Sequence, residues 1–109
     1  MINKYLKKLG FDFSWKNSSP TTEQQVHEAL SILQEESAEI VQAVSKIFRF
    51  GIDSVWKTES NRDHLEEELG DLICMINLLI KLEVIKQENL DFYASKKLDK
   101  LKKWSNLDI

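Results

Sequence analysis

Residues 33–43 read LQEESAEIVQA, and residues 67–72 read EELGDL. Both stretches combine acidic and apolar residues at helical spacing. Glu36 and Glu39 are three residues apart, as are Glu68 and Asp71, so each pair projects from one side of its helix. Like charges on one helix face repel each other, and two such pairs in a short chain therefore favour a bound cation between them. Ligand sets made only of carboxylates favour Mg²⁺, with Mn²⁺ as a substitute, over zinc.

The composition is that of one small domain, which we place at residues 1–109. The chain has 3 glycines and 1 proline, which favours long uninterrupted helices. A single cysteine excludes a disulfide framework, and we see neither a secretory signal nor an apolar run long enough to span a membrane. We therefore expect a cytoplasmic protein that does not contact a membrane.

The charge is unevenly distributed along the chain. The formal net charge of −3 argues against a nucleic-acid binder. Residues 96–109 nevertheless contain five lysines and two aspartates, whereas the acidic residues cluster in the middle of the sequence. An acidic centre beside a basic end suits a metal that binds a polyanion. The alternative is that both are solvated helix faces.

The hydrophobic pattern predicts an all-α bundle: an N-terminal arm (residues 1–20) with a short helix, Ile2–Leu9, and a core (residues 21–104) of three main helices. The first helix begins at a Thr21 or Thr22 cap and ends at Gly51; the third covers about Gln87–Lys103. The predicted apolar stripe of the first helix is Val26, Leu30, Leu33, Ile40, Val44 and Phe48. That of the second, which begins near Ser60 or Asn61, is Leu65, Leu69, Leu72, Ile76 and Leu79. The third is expected to turn Leu90, Ala94, Leu98, Leu101 and Trp104 inward.

The second helix is apolar over most of its circumference, and two neighbouring helices do not cover such a helix. We therefore expect a homodimer or homotetramer that completes the bundle. The alternative is a monomer that the N-terminal arm closes.

The acidic pairs lie on equivalent flanks of their stripes. At 100° per residue, Glu36 and Glu39 are displaced by roughly 80° and 140° from the first stripe, and Glu68 and Asp71 by roughly 60° and 120° from the second. Packing of the two helices in opposite directions would bring the four carboxylates to one groove. Without a cation, their proximity would raise their pKa values and destabilise the fold.

The spacing Glu-Glu-x-x-Glu on one helix and Glu-x-x-Asp on the next resembles the all-α nucleoside triphosphate pyrophosphohydrolases, the MazG-like group. The resemblance covers about residues 22–104, and residues 45–51 are similar to short phage and bacterial members. It implies hydrolysis of nucleoside or deoxynucleoside triphosphates between the α and β phosphates, which yields the monophosphate and pyrophosphate, in housecleaning or nucleotide-pool control.

The resemblance also implies roles for the acidic residues. Glu36, Glu39, Glu68 and Asp71 match the Mg²⁺ ligands, and Glu35 matches an acid that positions the attacking water. Of these, we expect Glu35 or Glu39 to accept the proton of that water.

Further residues are candidate substrate contacts, each with a structural alternative. Candidate phosphate ligands are Lys46, Arg49, Lys97 and Lys100, whose alternatives are ion pairs with neighbouring acids or solvation. Candidate base contacts are Asn77 and Trp56, whose alternatives are a buried interface and a hydrophobic anchor. His64 either contacts Glu68 and orients it beside the metal or is a surface histidine.

Other functions fit the sequence less well. A phosphoribosyl-ATP pyrophosphohydrolase usually has a histidine soon after the second acidic motif, and residues 72–80 contain none. A carboxylate-bridged di-iron bundle requires Glu-x-x-His pairs, which Glu36 and Glu68 lack. A helical interaction module without catalysis remains the alternative outside enzymes.

Overall fold

A computed structural model describes residues 21–109, which form three helices and a small β-hairpin. The helices are α1 (Thr22–Phe50), α2 (Asn61–Lys81) and α3 (Gln87–Trp104), and the strands are β1 (Val55–Trp56) and β2 (Glu59–Ser60). The mainly helical fold confirms the predicted class. The predicted arm at residues 1–20, with its short helix, lies outside the described residues.

Both ends of α1 are fixed by local interactions that the sequence predicts. Thr21 and Gln24 form a capping box, in which Thr21 Oγ1 accepts from the Gln24 N–H at 3.1 Å and Gln24 Oε1 accepts from the Thr21 N–H at 2.7 Å. At the other end Gly51 adopts a φ of 97°, which disfavours residues with a side chain, and its N–H donates to the Ile47 carbonyl. The helix therefore begins and ends where the sequence indicates.

The segment between α1 and α2 is a β-hairpin fastened to the first turn of α2. The strands pair antiparallel, with Trp56 opposite Glu59. Arg62 donates from Nε and Nη2 to the two carboxylate oxygens of Asp53, at 3.0 and 3.3 Å. The Asn61 amide donates to the Gly51 carbonyl at 2.9 Å. These bonds hold the hairpin against the start of the helix that carries the second acidic motif.

The hydrophobic core lies between α1 and α2, which run in opposite directions. Its buried residues are Ala29 and Ile32 on α1 and Met75 and Leu79 on α2. The buried line on α1 continues to Glu36 and Ala43, whereas Leu30 and Phe48 of the predicted stripe are exposed. On α2 the buried line includes Glu68, and Leu69 is 40% exposed. The packing face is therefore rotated away from the most apolar stripe towards the acidic residues.

In the described residues 21–109, helix α3 has no fully buried residue. Of the side chains expected to face inward, Leu90 and Leu101 are partly buried, whereas Ala94, Leu98 and Trp104 are exposed. Trp104 is 79% exposed, and Leu98 is 44% exposed. The Cα radius of gyration is 17.3 Å, compared with about 13 Å for a compact domain of this size. In residues 21–109, no helix is both long enough and apolar enough to cross a membrane.

Candidate metal centre and adjoining cavity

Three carboxylates converge where the middle of α1 crosses the first half of α2. One oxygen from each of Glu36, Glu68 and Asp71 lies within 4.8 Å of the others. Glu36 is 1% exposed and Glu68 6% exposed, although glutamate is rarely buried unless it is paired. The structure therefore places two acidic side chains in the interface between α1 and α2.

Helix periodicity explains how these acids reach the interior. Glu36 follows the core residues Ala29 and Ile32 by seven and four positions, and Glu68 precedes Met75 by seven. All of these spacings return a side chain to the same face of its helix. The two glutamates thus lie on the buried lines themselves, and the predicted displacement of roughly 60–80° from the core face is wrong.

Several buried carboxylate oxygens have no hydrogen-bond partner in residues 21–109. They are both oxygens of Glu36, Oε2 of Glu68 and Oε2 of Glu35. An unpaired buried charge costs several kcal/mol in free energy, and proteins normally pair it or use it to coordinate a metal. A set of converging oxygen ligands without sulfur fits a hard divalent cation such as Mg²⁺ or Mn²⁺. The residues present therefore fit the metal that the family resemblance implies.

The electrostatics of the group agree with this fit. Burial raises the pKa of Glu36 to about 7, and the carboxylates of Glu39 and Asp71 contribute further. Burial also raises the pKa of Glu68 to about 8, and the neighbouring Glu39 carboxylate raises it further. Both shifts reflect how unfavourable the ionised forms are without a cation. A divalent cation would remove this penalty.

The two remaining acids of the first motif lie next to this group. Glu39 is half-buried and lies outside the tightest set of three, but its charge contributes to the raised pKa values of Glu36 and Glu68. Glu35 is half-buried and has one fully buried oxygen. All five acids named by the sequence motifs therefore lie at or beside one site.

A cavity of about 530 Å³ lies beside the carboxylates, between the end of α1, the hairpin and the first turn of α2. Its lining includes Lys46, Phe50, Trp56, Glu59, Asn61 and His64. The His64 imidazole connects the cavity with the carboxylates: Nδ1 is 3.8 Å from Glu59 Oε2, and Nε2 is 3.7 Å from Glu68 Oε1. His64 thus lines the cavity and lies next to a carboxylate of the cluster.

The six predicted substrate contacts lie in three different places. Lys46 and Trp56 come together in the cavity wall. Arg49 lies at the end of α1 with its guanidinium carbon 5.1 Å from the Phe50 ring centroid. The other three, Asn77 on α2 and Lys97 and Lys100 on α3, are exposed, and within residues 21–109 neither lysine forms an ion pair with the carboxylates.

Sequence reasoning did not identify Glu59 and Asn61 as cavity residues. The group Glu59, His64 and Glu67 also places three ligand atoms within 4.8 Å of one another. The available signal was that the second acidic motif lies about two to three helical turns after the α2 cap, so the residues around that cap lie within reach of a substrate at the site. The pairing of Trp56 with Glu59 had no such signal, since strands of two residues show no periodicity.

Comparison with known proteins agrees with this geometry. Residues 24–105 match the family model of the MazG nucleotide pyrophosphohydrolase domain. No curated protein and no solved structure matches the chain. The family match covers both acidic motifs and all three helices described above. The chain belongs to the MazG nucleotide pyrophosphohydrolase domain family.

Proposed function

We propose that this protein hydrolyses nucleoside or deoxynucleoside triphosphates to the monophosphate and pyrophosphate in a Mg²⁺-dependent reaction. The observation that carries the proposal is the buried set of unpartnered carboxylates at the crossing of α1 and α2. A chain that served only as an interaction module would gain nothing from this unfavourable burial, because apolar residues of similar volume pack at least as well.

The positions of the acidic residues support the roles that we propose for them. Glu36, Glu68 and Asp71 form the tightest group and would hold the metal, with Glu39 as the fourth ligand. Mg²⁺ supplies charge neutralisation for the phosphates and lowers the pKa of water. Glu35 or Glu39 accepts the proton of the attacking water, since both are adjacent to the group and only partly buried. This reaction needs no covalent nucleophile.

The cationic and aromatic residues complete the proposed substrate site. Lys46 lies in the cavity wall, where its ammonium group would bind a phosphate oxygen, and Trp56 would stack on the base. We also assign phosphate contacts to Arg49, Lys97 and Lys100 and a base contact to Asn77. These four residues are exposed in the single chain, so their roles require the substrate or a second chain to cover them.

We further propose that the protein is a cytoplasmic homo-oligomer that controls the nucleotide pool. The support for the assembly is the uncovered apolar surface of α3 and of the end of α1, including Phe48, which is 84% exposed. A second copy that packs on these helices would complete a bundle.

The proposed activity is tested with a panel of standard and damaged nucleoside triphosphates, with Mg²⁺, Mn²⁺ or EDTA, in an assay that resolves pyrophosphate from phosphate. The test variant is Glu68→Gln, and its matched control is Glu66→Gln, the same substitution at an exposed position of the same helix. We expect monophosphate and pyrophosphate from the wild-type protein and the control. We expect the test variant to lose about 100-fold or more in rate.

Diphosphate and phosphate as products would show that a different bond is cleaved. Absence of turnover with every nucleotide, in a folded protein that binds Mg²⁺, would favour the interaction-module alternative. Equal activity of Glu68→Gln and Glu66→Gln would remove the buried carboxylates from the mechanism.

A further inference from the structure

Trp56 and Glu59 are directly paired across the β-hairpin that walls the cavity. Side chains in such a pair project from the same face of a hairpin and lie next to each other. Trp56 is 76% exposed, so its ring has a free face within the described part of the chain. The Trp56 ring therefore lies beside the Glu59 carboxylate in the cavity wall.

The cavity lining includes donors, among them Lys46, but the group paired directly with Trp56 is the Glu59 carboxylate, which is an acceptor. Glu59 receives no side-chain hydrogen bond from residues 21–109, and Nδ1 of His64 lies 3.8 Å from its Oε2. The Asn61 amide nitrogen donates one of its two hydrogens to the Gly51 carbonyl, so this amide can still both donate and accept. A ligand group placed directly against Glu59 must therefore offer hydrogen-bond donors, because an acceptor there would remain unpaired.

The distance from this wall to the carboxylate cluster suits a nucleotide. The gap between Glu59 and Glu68 is filled by one imidazole ring with contacts of 3.8 and 3.7 Å on its two sides. A ribose, which separates the base of a nucleotide from its α-phosphate, is of similar width and would span the same separation alongside His64. A base at Glu59 would thus leave the phosphates at Glu36, Glu68 and Asp71.

We propose that Trp56 and Glu59 form a guanine-selective base subsite. Trp56 stacks on the purine, and the two oxygens of Glu59 accept the N1–H and the N2 amino group in parallel. Guanine presents these two donors side by side, whereas cytosine and adenine present one amino group next to a ring acceptor. Uracil and thymine place carbonyl oxygens on both sides of their single N–H, which a carboxylate repels.

This inference rests on the proposed function for the position of the triphosphate but not for the recognition of the base. It is tested with two nucleotides that differ only in the amino group, GTP and ITP. We expect the wild-type protein to favour GTP over ITP by about tenfold or more in kcat/KM, because loss of a hydrogen bond to a charged group carries a penalty of this size. Glu59→Gln is expected to reduce the preference to less than about threefold, chiefly by lowering the GTP value.

Glu88→Gln, an exposed glutamate in the first turn of α3, is the matched control and should retain the full preference. Trp56→Ala should weaken binding of both nucleotides together, because stacking does not depend on the amino group. Equal kcat/KM for GTP and ITP in the wild-type protein would overturn the proposal. A preference that persists in Glu59→Gln would overturn the assignment to Glu59.

Calorimetric titration with GMP and IMP in the absence of metal separates this inference from the proposed activity. Tighter binding of GMP that Glu59→Gln abolishes supports the guanine subsite even if no triphosphate is hydrolysed. Hydrolysis of triphosphates without discrimination between GMP and IMP rejects the subsite and leaves the proposed activity intact.

Discussion

Glu36 and Glu68 combine deep burial with raised pKa values, and this combination predicts how the stability of the metal-free protein depends on pH. Their folded-state pKa values, about 7 and about 8, lie above the ordinary glutamate value of 4.5. Between pH 4.5 and about pH 8 the folded chain binds more protons than the unfolded chain, so the free energy of unfolding falls as the pH rises. Their stabilising contribution is complete below about pH 4.5 and is lost as the pH rises through 7 to 8.

Urea unfolding in EDTA at pH 5.5 and 8.5 measures this dependence. We expect lower stability at pH 8.5, together with a larger stabilisation by Mg²⁺ there, since a metal binds the ionised carboxylates. The double variant Glu36→Gln and Glu68→Gln should show a flatter dependence on pH. Stability that rises over this interval in the metal-free wild-type protein would contradict the prediction.

Replacing Glu36 alone by glutamine should raise the stability of the metal-free protein and lower its activity. At pH 8 without metal, we expect Glu36→Gln to raise the free energy of unfolding by about 1–3 kcal/mol, because it removes a buried charge that faces other carboxylates. The exposed control Glu66→Gln should change it by less than about 0.5 kcal/mol. Triphosphate hydrolysis by Glu36→Gln should fall by about 100-fold or more. A destabilised Glu36→Gln would show that the ionised side chain has a stabilising partner.

The helix ends and the residues of the acidic motifs were predictable from sequence, but the packing faces were not. Caps depend on short-range chemistry, such as the Thr21–Gln24 capping box and Gly51, and local patterns reveal them. The packing face depends on what two helices bury against each other. The most apolar stripe predicted Leu30 as a core residue, whereas the packing of α1 against α2 buries Ala29 and Glu36. Periodicity cannot anticipate that a glutamate is buried, because hydrophobicity places it outside the core.

Gly70 provides a prediction at the level of helix α2. It lies in the middle of the helix, between Leu69 and Asp71, and a Cβ atom at this position would have no neighbour within 4 Å in residues 21–109. Gly70→Ala should therefore raise the free energy of unfolding by about 1 kcal/mol through helix propensity alone. Denaturant unfolding of the metal-free protein tests this. A decrease would show that a second chain fills the space beside Gly70.

At the scale of the whole molecule, the sequence predicts three helices and an all-α class but not the position of α3 relative to α1 and α2. The amphipathic pattern of α3 predicts that one side is covered, and in the single chain that side stays exposed. Amphipathicity shows that a helix face must be buried, but it does not show which surface covers it. The radius of gyration of 17.3 Å expresses the same open arrangement.

The exposed aromatic residues of α3 predict that the protein self-associates. Phe92, Tyr93 and Trp104 on α3 are each at least 60% exposed, and aromatic side chains bury large areas at interfaces. We therefore expect size-exclusion chromatography with light scattering to give at least twice the chain mass of 12.7 kDa. Trp104→Glu should shift the mass towards that of the single chain by placing a charge in the interface. Lys102→Glu, two residues away and on the opposite side of α3, should not. A single-chain mass for the wild-type protein at all concentrations would instead show that the exposed face of α3 is covered by the chain itself or by another partner.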